Sequence, residues 1–192
     1  FLIEKIEKKT KIIDPLFAIA FFAFNPLVLI ESLVSSHNDI VMMFLLLTSV
    51  YFLLSKKTAL LSFFFVFAGL IKFATFFLLP SFVYYLRTKN MEKFVLWSIL
   101  LLLLAVIAVT LRTQFQPWYL LLVLPMASFV SKKKYILIPS VVLSFASLCQ
   151  YVLFLHSGNW DHPIPVINFW IMVVGIVISL LLVFMNKLKV FK

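Results

Sequence analysis

The chain has 192 residues, of which 64% are apolar and only 12% charged, with 23 Phe, 3 Gly and a single Cys. Its mean hydropathy is +1.14. A soluble domain is nearer half apolar and a quarter charged, so this composition excludes a soluble globular enzyme, a disordered chain, a collagen and a disulfide scaffold. The formal net charge of +10 is not the footprint of nucleic-acid binding. The Lys and Arg residues collect in short connections beside apolar runs, where they set orientation and meet anionic headgroups.

The chain opens on Phe1 with no signal-peptide pattern and reads as the C-terminal part of a longer protein. Residues 1–14 form the first unit, an amphipathic interfacial segment. Ile3, Ile6, Ile12 and Ile13 stand among lysines, and Glu4/Lys8 and Glu7/Lys11 are spaced as i,i+4 pairs with the acid first. Asp14-Pro15 reads as an N-cap followed by the first helical residue. Residues 15–192 then form one multi-spanning membrane domain. Its apolar segments run over 16–35, 40–55, 58–86, 94–111, 117–131, 135–155 and 165–186. Continuous apolar runs of this kind predict helices rather than the dyad alternation of a membrane barrel. The expected fold is all-α: a polytopic transmembrane helix bundle.

The segment 58–86 is either one tilted span or two short helices folded back around Lys72. Charge decides between them. With a hairpin, every Lys and Arg except Lys72 and Arg112 falls on one side, from Lys5 to Lys187, Lys189 and Lys192. With a single span the basic residues divide between the two sides. The positive-inside rule favours a re-entrant helical hairpin, with the lysine-rich loops cytoplasmic. Non-helical backbone at that depth requires cover by protein or a water-filled cavity.

With that topology, the unusual polar residues gather on the opposite, extracytoplasmic side. Asn25-Pro26 reads as a proline kink whose Asn satisfies freed backbone groups. Glu31 is an ionisable group in or near the hydrocarbon, facing an interior or snorkelling to the interface. His37, Asn38 and Asp39 form the exit loop, where Asp39 either caps the helix starting at Ile40 or serves the chemistry. Lys72 requires an interface, an anionic partner such as Glu31, or an anionic substrate group. Arg112 breaks the charge trend, and a guanidinium suits phosphate. Gln114 and Gln116 follow. Trp118 and Tyr119 fit either an interfacial aromatic belt or a binding surface. The last loop holds His156, Asn159, Trp160, Asp161 and His162. This set suits a lipid-linked phosphosugar. Cations would hold and stabilise the leaving phosphate, and an acidic group would activate an acceptor hydroxyl against an oxocarbenium-like centre. The same cations and cavity fit a transporter or flippase of lipid-linked or anionic solutes. A non-catalytic membrane subunit is a further alternative.

Three ordered blocks, NPLVLIESLVSSHND, GLIKFATFFLLP and QPWYLLLVLP, resemble those of bacterial and archaeal mannosyltransferase-like proteins of the GT-C superfamily. The resemblance implies an integral membrane hexosyltransferase of a prokaryotic plasma membrane. Its donor would be a polyprenyl-phosphate sugar, its acceptor a glycan or a lipid-linked molecule, and its active face extracytoplasmic. No metal-nucleotide site and no cofactor are implied. By position, Glu31, His37, Asn38 and Asp39 match the first block, Lys72 the second, and Gln116, Trp118 and Tyr119 the third, with Arg112 just before it. Enzymes of this superfamily carry a catalytic acid in an earlier outer loop, which this sequence does not contain. Asp39 and Glu31 are therefore the expected catalytic carboxylates, Lys72 and Arg112 the donor-phosphate ligands, and His37, Asn38, Gln116, Trp118 and Tyr119 the substrate contacts.

Overall fold

The computed structural model describes residues 1–35 and 37–190. Ser36 of the first sequence block and Lys192 of the basic C-terminal group lie outside the described residues, as does the side chain of Lys189. The described residues form ten α-helices, with three short 3-10 or π segments and no strand.

Helix α1 (Leu2–Thr10) buries Ile3 and Ile6 against α2 (Pro15–Ala23) and α4 (Asp39–Leu54). Its Glu4–Lys8 pair forms, at 2.5 Å. The Glu7/Lys11 pair does not, because α1 ends at Thr10 with Lys11 in a left-handed conformation. Glu7 turns inward instead and accepts hydrogen bonds from Thr10 Oγ1 and from the amides of Ile12 and Ile13, each at 3.2 Å. Burial pushes its carboxyl above the ordinary range against the pull of those three donors. Asp14 caps α2 as its sequence predicts, accepting from the amides of Leu16 and Phe17, with Pro15 first in the helix.

The first apolar segment is a helix pair bent by 59°. The break falls at Asn25-Pro26, and the buried Asn25 side chain accepts from the Leu27 amide at 3.0 Å, capping α3 (Pro26–Leu29). The chain continues as a π segment over Ile30–Val34. A π segment closes its hydrogen bonds over one more residue than an α-helix does, as Ser35 to Ile30 here, and so rotates the faces beyond it. It carries the fully buried Glu31.

Helices α4 and α5 (Thr58–Ile71) form an antiparallel hairpin. At Lys72 the backbone becomes extended, a 3-10 turn spans Phe73–Leu78, and α6 (Leu79–Thr88) follows. The rings of Phe65 and Phe82 meet at 4.9 Å across this break. Residues that far apart in a continuous helix would stand about 25 Å apart, at 1.5 Å per residue, so the two limbs fold back on each other. Gly69 makes the return tight: a Cβ there would lie 2.3 Å from the Phe76 ring. Gly69→Ala should therefore lower stability by about 1–3 kcal/mol through overpacking. Thermal unfolding in detergent checks this, and an unchanged Tm would show that the Phe76 ring moves aside freely.

Helix α7 (Met91–Arg112) receives the returning limb. Ser98 donates to Ser81 at 3.0 Å, and the rings of Phe82 and Phe94 meet edge to face. The segment 117–131 is not a continuous helix. It divides into a 3-10 turn over Pro117–Leu122 and the short α8 (Leu124–Ser128). Leu121, Leu122, Met126 and Phe129 are fully buried among Met42, Leu46, Phe94 and Leu102, so its apolarity serves the protein core rather than lipid. Helices α9 (Lys134–Ser157) and α10 (Ile164–Val190) pack along each other. Helices α7, α9 and α10 are each long and apolar enough to cross a membrane, and the bent α2–α3 pair makes a fourth if taken as one span. The protein is an all-α membrane protein.

The lysine-bearing connections touch one another. Lys9 donates to Ser55 beside the α4–α5 turn, Lys133 pairs with Glu92 at the start of α7, and Lys134 donates to Asn186 on α10. Glu31, His37, Asp39, Lys72, Trp118 and Tyr119 meet elsewhere, in two neighbouring groups.

Candidate functional site

Two charged clusters stand side by side. The first follows from the break at Lys72. The end of α5 returns to the start of α4, and the Lys72 ammonium forms an ion pair with Asp39. Asp39 is thus not a helix cap: the helix begins at Asp39 itself, after Asn38, and neither side chain caps it. The partner of Lys72 is Asp39 and not Glu31. The same ammonium lies 4.9 Å from the centroid of the Tyr119 ring, close enough for the ring's negative face to attract it. Asp39 is buried and Lys72 is about a quarter exposed (24%), so the lysine is the open side of the pair. An ammonium has three donors and the carboxylate uses one.

The second cluster centres on Glu31. The Tyr151 hydroxyl of α9 donates to Glu31 Oε1 at 2.8 Å. Oε2 lies 3.1 Å from Nδ1 of His37, off the line of a well-aligned hydrogen bond. The His37 amide donates to the Glu31 carbonyl at 3.1 Å, which holds the two residues together through the backbone as well. The imidazole stacks on the Trp118 indole, with centroids 4.1 Å apart and planes 21° from parallel. The indole plate and the backbone bond hold the imidazole beside the carboxylate, with Nδ1 as the nitrogen next to Glu31. Tyr151→Phe would leave Oε1 of a fully buried carboxylate without its donor. The expected loss is about 1–3 kcal/mol of stability, read by thermal unfolding, and no loss would mean that solvent reaches Glu31.

Adjacent residues join the clusters: Trp118 belongs to one and Tyr119 to the other. The structure thus brings together Glu31, His37 and Trp118, and Asp39, Lys72 and Tyr119. Gln116 stands beside them, accepting from Gln150 Nε2 at 3.2 Å. Asn38 is exposed just before α4. Arg112 is exposed at the end of α7 and, among the described residues, makes no hydrogen bond or ion pair with this group. Three participants escaped the sequence reading: Tyr151, Gln150 and Asn168. Each is a polar residue within a long apolar segment, and that isolation was the available signal.

Residues 5–88 match the model of a family described as alpha-(1->6)-mannopyranosyltransferase, N-terminal domain. The match takes in Glu31, His37, Asn38, Asp39 and Lys72, and ends before Arg112, Gln116, Trp118 and Tyr119. No curated protein and no solved structure matches the chain. The likeness to a mannosyltransferase domain supports a sugar-transfer role in a membrane setting.

Proposed function

We propose that this protein is a membrane mannosyltransferase. It would move a mannosyl group from a polyprenyl-phosphate donor to a glycan or lipid-linked acceptor at the extracytoplasmic face. The observation that carries this reading is the coincidence of the matched segment with both acidic partners: the Lys72–Asp39 pair and the Glu31–His37 contact lie within residues 5–88.

The chemistry follows from the contacts. The acceptor oxygen forms a bond to the anomeric carbon while the bond from that carbon to the phosphate oxygen breaks, its electron pair leaving with the phosphate. Lys72 stabilises that phosphate with the donors Asp39 does not use. Asp39 acts as the lysine's holder, since its carboxylate is already engaged. The acceptor proton passes to Nε2 of His37, and Glu31 orients the ring and balances the charge it gains. Arg112, exposed at the end of α7, would meet the donor's phosphate on entry. The lysine-rich connections would face the cytoplasm, in keeping with the positive-inside rule.

The test is transfer in membranes of cells making the protein. Radiolabelled mannose supplied on polyprenyl phosphate should appear in a new glycosidic product, and mannose supplied on a nucleotide should not. Use of the nucleotide donor alone would overturn the reading. A second reading has one observation in its favour. The helix is broken both at Asn25-Pro26 and at Lys72, and paired broken helices are a mark of secondary transporters. Movement of the lipid-linked sugar across vesicles with no covalent product would establish it.

A further inference from the structure

Beside the two charged clusters lies a cavity of about 280 Å³, close to the lower bound of about 300 Å³ for small-ligand clefts. The end of α7, the connection 113–116, Gln150 of α9, Trp160 of the following loop and the start of α10 form its walls. None of its lining residues is charged. Its polar side is a chain of amides. Asn168 donates to Gln150 at 2.8 Å, and Gln150 donates in turn to Gln116 at 3.2 Å. Trp160 and Phe169 supply aromatic surface.

The direction of this chain leaves one acceptor over. Asn168 is 3% exposed, and its Oδ1 has no partner among the described residues. Thr110 Oγ1, on the α7 side of the cavity, also lacks one among the described residues. Amides between membrane helices commonly serve as glue. That accounts for the two bonds made, and for neither atom left unpaired. Buried polar atoms without partners call for a specific explanation. A phosphate is a poor occupant, because no cation lines the cavity. Neutral hydroxyl groups fit: they donate to Asn168 Oδ1, exchange with Thr110, and set their carbon framework against Trp160 and Phe169.

We infer that this cavity binds a neutral glycosyl residue of the acceptor. The inference rests on the transferase reading and deepens it. Gln150 and Tyr151 are neighbours on α9, the first holding the amide chain and the second holding Glu31. Gln116 lies two residues before Trp118, which stacks on His37. The acceptor sugar would therefore be seated next to the imidazole, apart from the charges that hold the donor.

The test is direct binding to the purified protein in detergent, with methyl α-mannopyranoside as the probe and saturation-transfer NMR as the readout. The sugar's ring protons should receive saturation from the wild type. Asn168→Leu and Thr110→Val should each weaken binding roughly 5- to 10-fold, as expected for one lost hydrogen bond. Thr110→Val keeps the side chain's shape and so carries the test if Asn168→Leu does not fold. No binding by the wild type, or unchanged binding by the folded variants, overturns the inference. The assay needs neither donor nor turnover. Sugar binding that depends on Asn168, with no transfer in membranes, would sink the transferase reading and leave the pocket. Transfer with an acceptor KM unchanged in both variants would do the reverse.

Discussion

Lys72→Ala should reduce mannosyl transfer at least about 100-fold, the scale on which loss of one transition-state donor is felt. The residue is the cation beside Tyr119 and the partner of a buried carboxylate. In the proposed mechanism it has two roles, and the variant loses both. Removing the ammonium leaves Asp39 buried and unpaired, which destabilises the fold. Catalytic and structural losses are separated by removing both charges together. Lys72→Met combined with Asp39→Asn should recover thermal stability relative to Lys72→Ala while remaining inactive. If that double variant regains transfer, Lys72 serves the fold and not the phosphate. Radiolabelled transfer and thermal unfolding, run on the same preparations, read the two effects.

Glu31→Gln should lower kcat by about 100- to 10,000-fold, the span of general acid–base contributions, with little change in the KM for either substrate. A glutamine oxygen can still accept from Tyr151, so the bond across to α9 survives. The negative charge next to His37 Nδ1 does not survive, and an imidazole that must accept a proton loses the group that balances it. Glu31 is a positioning residue in this account, and the split between kcat and KM distinguishes that role from substrate contact. His37→Phe should keep the stacking on Trp118 and fall at least as far. Equal, small losses in kcat and KM for both variants would mean that the cluster is structural.

Much of this arrangement is legible in the sequence, because membranes punish charge. A lone lysine in a long apolar run and a one-sided distribution of the remaining lysines pointed to a returning hairpin at Lys72, and the limbs do fold back there. Asn25-Pro26 announced the first bend in the same way. What escaped is what composition cannot encode. Residues 117–131 read like a spanning segment, because a side chain buried in protein and one facing lipid are equally apolar. Two prolines and the surrounding core decide that it is a broken interior element. The partner of Lys72 escaped because it is set by where α5 returns. Asp39, at the start of the adjacent helix, reaches the lysine, and Glu31 lies in a π segment that turns it toward Tyr151. Tyr151 is 120 residues from Glu31, and spacing along the chain gives no hint of such a pair. Arg112 was as visible as Lys72; it sits exposed at the end of α7 and, among the described residues, pairs with no acid.

In the proposed mechanism the phosphate of a polyprenyl-linked sugar sits on Lys72, with the sugar toward His37. An experimental structure with a non-hydrolysable polyprenyl-phosphate mannose analogue bound tests this most directly. A phosphate oxygen is expected within hydrogen-bond distance of Lys72 Nζ, with the lysine still held by Asp39 and the anomeric carbon on the His37 side of Trp118. A phosphate bound away from Lys72, with the sugar remote from His37, would contradict it.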